Sequence, residues 1–445
     1  MSRRTLPLLP TALAVSLLLA LPVRAQSLQE LYDAARAYDA SYLASRALAD
    51  SSQYRLEQTR ALNRPSVSAV GTLTRNETDP PPSATNPDGS RIGATTSALT
   101  LSGRQPLFNR SNSTTIDQAE RTFEIAKADL QIAEQDLIVR VAQAYFDVLV
   151  AKDALAATQA NKQAAGEQLA SAKRNFEVGT ATITDTREAQ ARFDLGTAQE
   201  IAADNDLRAK RIALDVLVGR TNVEPRPLAI PVALPAVAPT NVEDWVGPSQ
   251  TGHPSVRKAQ LGMEIARLET EKARAGHLPT VDAVGSLGSS HASYNRLGVN
   301  GTTSNASIGV QVNVPIFSGY SVQNRIKETL VLEEKSRNDL EAARRSVAQG
   351  TRVAFFGVQS GQAQAKALEA AEASGKLALE ATQLGYRVGV RVNLDVLNAQ
   401  RDLYSTQRDL SKARYDSLLA TLRLRQAAGT LQPSDIASVN TLLAR

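Results

Sequence analysis

Arg60-Ala61-Leu62-Asn63-Arg64-Pro65-Ser66-Val67-Ser68-Ala69-Val70-Gly71 reads as a helix end, a stop and the start of a strand. Proline lacks an N–H and disfavours α geometry in the residue before it, so Pro65 ends the preceding helix. After it, Val67, Ala69, Gly71 and Leu73 alternate with Ser68, Thr72 and Thr74, the period of a strand with one apolar face. Arg274-Ala275-Gly276-His277-Leu278-Pro279-Thr280-Val281-Asp282-Ala283-Val284-Gly285 reads the same way, with Pro279 as the stop.

The correspondence continues downstream at an offset of about 210 residues. Gln105-Pro106-Leu107-Phe108 matches Val314-Pro315-Ile316-Phe317, and Ala144-Tyr145-Phe146-Asp147-Val148 matches Ala354-Phe355-Phe356-Gly357-Val358. Val178-Gly179, Asp185 and Ala189-Gln190 match Val388-Gly389, Asp395 and Ala399-Gln400. The chain therefore reads as two copies of one unit, 26–222 and 251–430. A Pro-rich linker over 223–250, from Glu224-Pro225-Arg226-Pro227 through Pro239, joins them, and 431–445 forms a tail.

Each unit predicts a helix, two strands, a long helix and a return helix. The first helix is expected over Ser27–Asn63, with Leu28, Leu31, Ala35 and Tyr38 at helical spacing. Asn305–Val314 alternates cleanly, over the length of a tilted strand that crosses a bilayer. Polar loops are expected at Asp79–Arg91 and Gly288–Thr303. A long helix over Asn109–Glu177 holds no proline and spans roughly 100 Å, against a usual helix of about 12 residues. Phe123, Leu130, Leu137, Val141, Tyr145 and Val148 form its coiled-coil-like stripe, and Leu340, Val347 and Phe355 continue the pattern in the second copy. Glycine can adopt the left-handed conformation that closes a helix, so Gly179 and Gly389 mark its end in the two copies. Return helices then run to near Gly219 and Gly429.

Composition narrows the class. Arg3 and Arg4, an apolar run Leu13–Leu21 and Val23-Arg24-Ala25 read as a secretory signal over 1–25. No later stretch approaches the ~20 apolar residues of a membrane-spanning helix. The chain has no cysteine, which excludes disulfides, thiolate metal sites and a cysteine nucleophile. The net charge of +5 falls to about +2 without the signal, which does not suggest nucleic acid. His253, His277 and His291 are scattered, so no metal site, cofactor or catalytic constellation is expected. Trp245 is expected to anchor the joining segment.

Four amphipathic strands cannot close a barrel, since a small filled barrel already needs about eight. An open edge in lipid leaves backbone groups unsatisfied, so a membrane barrel has to be shared between chains. Sequence physics alone permits two, three or four.

Glu30-Leu31-Tyr32-Asp33-Ala34-Ala35-Arg36, the Pro-bounded strand pairs and the Val-Gly turns resemble the TolC-like outer-membrane factor family over essentially the whole mature chain. The resemblance implies a mainly α fold of duplicated helical hairpins. In it, four strands per chain form a trimeric twelve-stranded barrel on a long α-helical barrel. It implies an outer-membrane channel whose α-barrel lies in the periplasm of a Gram-negative bacterium, embedded in outer-membrane lipid. A periplasmic adaptor and an inner-membrane ABC, RND or MFS transporter would dock at its tip.

By the same resemblance, Leu384-Gly385-Tyr386-Arg387-Val388-Gly389-Val390-Arg391-Val392-Asn393-Leu394-Asp395 is the gating segment. Tyr386 and Arg391 then constrain the tip, with Thr184 and Asp185 as partners. Asp395 forms a lumenal acidic ring, and the family's second ring position is Asn398 here, which removes one charge per chain. Residues such as Thr184, Asp185, Asn393 and Asp395, in the first turns of return helices, also serve as ordinary caps. A periplasmic coiled-coil adaptor without its own pore is the alternative reading, and an enzyme is not expected.

Overall fold

The computed structural model describes residues 25–84, 87–229, 234–294 and 300–444. The signal expected over 1–25 lies outside the described residues except for Ala25. In chain order the helices are α1 Leu28–Tyr38, α2 Ala40–Arg60, α3 Arg110–Glu177, α4 Ile183–Val218, α5 Glu243–Gly252, α6 Pro254–Ala275, α7 Ser321–Arg387, α8 Asn393–Ala427 and α9 Ser434–Asn440. The strands are β1 Ser66–Thr78, β2 Ile92–Phe108, β3 Thr280–Tyr294 and β4 Gly301–Asn313. Among the described residues two compact units form, and each draws on both sequence repeats: Ala44–Ile132 with Gln250–Ala348, and the segment up to Leu43 with Ala133–Ser249 and the segment from Gln349 onward.

The first unit holds one antiparallel sheet in the order β1-β2-β3-β4. Its register runs through Ser68↔Ser102, Ser102↔Ser286 and Ser286↔Ser307. The β2–β3 ladder shifts between Pro106 and Phe108, where proline offers no N–H. Among the described residues, β1 and β4 each keep one unpaired edge. Side chains alternate between two faces. One carries Val67, Leu73, Leu99, Leu101, Leu287, Ile308, Val310 and Val312, all exposed, with Ile308 at 94%. The other carries Ser66, Ser68, Thr72, Thr100, Ser102, Ser286, Asn305, Ser307 and Gln311. An apolar face left bare over this area marks a surface for contact with another protein or a membrane.

The loop expected at Gly288–Thr303 is much shorter, because β3 continues to Tyr294 and β4 begins at Gly301. Ser289, Ser290 and His291 look loop-like by composition, yet each pairs on both sides: Ser290 faces Ala98 and Thr303. Tertiary pairing supplies the ladder that their own propensity does not.

In the second unit, Leu137, Ile138, Val141, Tyr145, Phe146, Val148 and Leu149 of α3 are fully buried. The Tyr145 hydroxyl donates to the carbonyls of Gln26 (3.2 Å) and Arg226 (2.9 Å), which ties the chain start and the linker to the helices. Phe146 meets Tyr145 edge-on and Tyr415 at a tilt, with ring centroids 5.7 Å apart in each pair. The Tyr415 hydroxyl donates to Asp153 at 3.2 Å, where burial pushes the carboxyl above its ordinary value. Trp245 packs on the Phe355–Val358–Leu424 core and donates to the Pro239 carbonyl at 2.9 Å, as its anchoring role predicts.

The first helix expected over Ser27–Asn63 breaks at Asp39 and ends in a 3-10 turn at Ala61–Asn63. Asp39 leaves helical geometry (ψ 114°), and its Oδ1 accepts from the Tyr42 N–H at 2.8 Å and the Ser41 hydroxyl at 2.6 Å, opening α2. Arg140 donates to both carboxylate oxygens at 2.9 Å. These bonds, with Arg140 first, hold the Asp39 carboxyl well below the usual carboxylate range.

The folded Asp39 thus takes up its proton at a lower pH than the unfolded one. Its stabilisation is complete above the unfolded value near 4 and is lost as pH falls toward the depressed folded value. The wild-type melting temperature in detergent is expected to fall more steeply from about pH 5 to pH 3 than that of Asp39→Asn. Parallel slopes would remove Asp39 from the acid response.

Candidate functional site at the helix turns

Each repeat ends its long helix in the same turn. Gly179 and Gly389 adopt φ of +79° and +80°. Their N–H groups bond back to Phe176 (3.0 Å) and Tyr386 (3.1 Å), and the next residues, Thr180 and Val390, bond to Asn175 (2.8 Å) and Gly385 (2.9 Å). Orphan carbonyls at the helix end are satisfied this way, and only glycine takes the left-handed step without strain.

The return helices start differently in the two repeats. In the first, Thr182 is the N-cap of α4, and Asp185 completes a capping box. The Asp185 N–H donates to Thr182 Oγ1 (3.2 Å), while Asp185 Oδ2 accepts from the Thr182 N–H (2.9 Å) and hydroxyl (2.7 Å). Asp185 Oδ1 has no partner among the described residues. In the second, Val392 caps α8 and no side chain closes the cap.

Asn393 departs from the capping role read in the sequence. It is 1% exposed, its Oδ1 accepts from Gln168 of α3, and its Nδ2 donates to the Asp185 carbonyl at 3.3 Å. This buried amide ties the first-repeat hairpin to α8. Beside it, Leu169, Ala172, Ala189 and Leu397 form a small core with Phe193 against it. Gln168 carries no mark in the sequence that would single it out from the other polar residues of α3.

Arg391, in the turn before α8, lies 3.6 Å from Asp395 in the first turn of that helix, with the two side chains 62% and 39% exposed. Gly385 makes room for it, since a Cβ there would stand 2.8 Å from Arg391 Cγ. Tyr386 is half-buried, and its hydroxyl meets no hydrogen-bond partner among the described residues; Thr184 is exposed. Within this chain, then, the structure joins Asp185 to Thr182 and Arg391 to Asp395. It forms no bond between Tyr386 or Arg391 and Thr184 or Asp185 among the described residues. Asn398 accepts from Arg192 at 3.1 Å, a partner that sequence spacing does not reveal because it lies on the other hairpin.

The model of a family described as outer membrane efflux protein matches residues 31–220 and 246–430. The chain belongs to that family. It is 32% identical to the outer membrane protein TolC of Vibrio cholerae over 420 residues, 94% of each chain. It is 33% identical to the alkaline protease secretion protein AprF of Pseudomonas aeruginosa, over 76% of this chain and 70% of that one. Its fold superposes on the Vibrio cholerae outer membrane protein VceC with a TM-score of 0.76 at 19% identity, covering 90% and 96% of the two chains.

The fold is thus TolC-like: duplicated helical hairpins, and four strands that each chain adds to a shared trimeric barrel. The protein is an outer-membrane exit duct of a Gram-negative bacterium, and its family is one of channels. The poreless adaptor reading falls with this membership.

Proposed function

We propose that this duct is the passive last stage of a tripartite export machine and is gated at the Gly179 and Gly389 turns. A periplasmic adaptor and an inner-membrane transporter, of ABC, RND or MFS type, dock there and pull the coils apart. The observation that carries the gate is a set of polar groups left over at the turns. Among the described residues these are the Tyr386 hydroxyl, Asp185 Oδ1, the exposed Thr184 and an Arg391 held only by an exposed pair with Asp395. A phenol donates to a carboxylate, and a guanidinium forks to oxygen acceptors, so neighbouring coils have the groups to bind one another. A few such bonds, each worth about 1 kcal/mol, hold a closed state that a docked partner can open.

Protein cargo is favoured by the likeness to AprF, which is named for secretion of a protease. Deletion of the gene should remove a secreted protein from the culture medium and leave drug susceptibility unchanged. Drug sensitisation with intact secretion would instead make it an efflux duct, and neither phenotype would defeat the export reading.

Asp395, repeated by symmetry, gives an acidic ring that favours cations. Arg192 beside Asn398 bears on the missing second ring. Asn398→Asp alone should raise cation preference little, because the new carboxylate meets Arg192. Combined with Arg192→Gln, it should raise the preference and the block by divalent cations clearly. Equal selectivity in both variants, read from reversal potentials in a salt gradient, would place this position outside the conducting path.

A further inference from the structure

Ser68, Ser102, Ser286 and Ser307 stand on one rung across all four strands, on the polar face of the sheet. Ser68 bonds Ser102 at 2.9 Å and Ser286 bonds Ser307 at 2.8 Å. With Ser66 and Arg104 they line a groove of about 410 Å³.

Of the Asp, Glu, Lys and Arg residues in β1–β4, only Arg104 and Asp282 fall on this face. Arg75 and Glu77 fall on the apolar face, near the far end of β1, and pair with each other at 3.1 Å. Arg104 Nη2 lies 2.6 Å from Asp282 Oδ2, but the two side chains are 60% and 7% exposed. Asp282 Oδ1 is buried with no partner among the described residues. The wall therefore sinks the carboxylate and presents the guanidinium. Only one of the guanidinium's five N–H donors is used within the described chain.

We propose that Arg104 is a charge-selecting residue of the barrel lumen, a contact for anionic groups (carboxylate, phosphate or halide) set among serine hydroxyls and tempered by Asp282. This rests on the duct reading. The polar face of a membrane barrel turns inward, so each chain places one Arg104 in the conducting path. Rings of arginine favour anions. The carboxylate at 2.6 Å cancels much of the field at a distance, while a solute at close range meets the free N–H groups first.

The sign of two substitutions tests this in planar bilayers under a salt gradient, with wild-type tips and again in the Tyr386→Phe, Arg391→Ser background. Arg104→Gln should move the cation-to-anion permeability ratio toward cations, and Asp282→Asn should move it toward anions, each by about twofold or more. A merely structural ion pair gives shifts of the same sign or none, which would overturn the proposal. Folded, inserted trimers that pass no current would instead sink the duct itself.

Should Asp282→Asn fail to fold, the absence of native cysteine offers a second route. Ser102→Cys should react faster with an anionic than with a cationic thiosulfonate, and Arg104→Gln should abolish that preference. Equal rates with Arg104 intact would overturn it.

Discussion

The Tyr386→Phe, Arg391→Ser double variant is expected to conduct several-fold more than wild type in planar bilayers. Tyr386→Phe removes one oxygen from a half-buried ring and leaves its packing in place, so any effect belongs to the hydroxyl. That hydroxyl has no partner among the described residues of its own chain, while Asp185 keeps Oδ1 free beside its capping box. Among the described residues the Arg391 side chain is held only by Asp395, at 3.6 Å, in an exposed pair. Such an exposed pair contributes only about 0–1 kcal/mol. Its release to a neighbouring coil is therefore nearly free.

Each single change should give part of the increase, and Asp395→Asn should leave the conductance of the closed tip near that of wild type while lowering cation preference. Equal conductance in wild type and the double variant would keep the duct and return these residues to ordinary helix-end structure.

Gly219→Ala is expected to lower stability far more than Gly179→Ala, although both glycines end helices with positive φ. Gly219 caps α4 at φ +66°, and a Cβ there would stand 2.4 Å from Cγ of Tyr38 and 2.6 Å from its two Cδ atoms. The atom nearest the clash is the root of the ring, so relief requires the Tyr38 side chain to leave its rotamer. At Gly179 (φ +79°) a Cβ meets nothing within 4 Å. The second substitution should cost about 1–2 kcal/mol for the backbone alone. The first adds overpacking of roughly 1–3 kcal/mol. Melting in detergent should show the difference, and Tyr38→Ala should return Gly219→Ala to about the cost of Gly179→Ala. Equal losses at the two sites, or no rescue, would mean that the ring does not set the penalty.

Much of this protein was legible without coordinates. Glycine at 179, 219, 389 and 429 acts through its own backbone chemistry, so those helix ends could be read within a residue or two, whereas α2 and α6 already end at Arg60 and Ala275, ahead of the stops at Pro65 and Pro279. The period-two alternation of Asn305–Val314 named a strand with one apolar face, because adjacent side chains must point to opposite sides. The break at Asp39 was not legible. The Asp39 carboxylate that caps the next helix through Ser41 and Tyr42 is also held by Arg140, 101 residues away, a partner no local pattern reveals.

The sequence by itself determined the duplication, the order of elements and the amphipathic strands, all of which follow from local residue chemistry and short spacings. Only the tertiary structure decided how far β3 and β4 extend, that Asn393 is a buried tie rather than a cap, that Arg192 faces Asn398, and that one serine from each strand shares a rung with Arg104 and Asp282 close by. Each of these depends on register or packing between segments far apart in the chain, where one residue of slip turns a side chain to the other face.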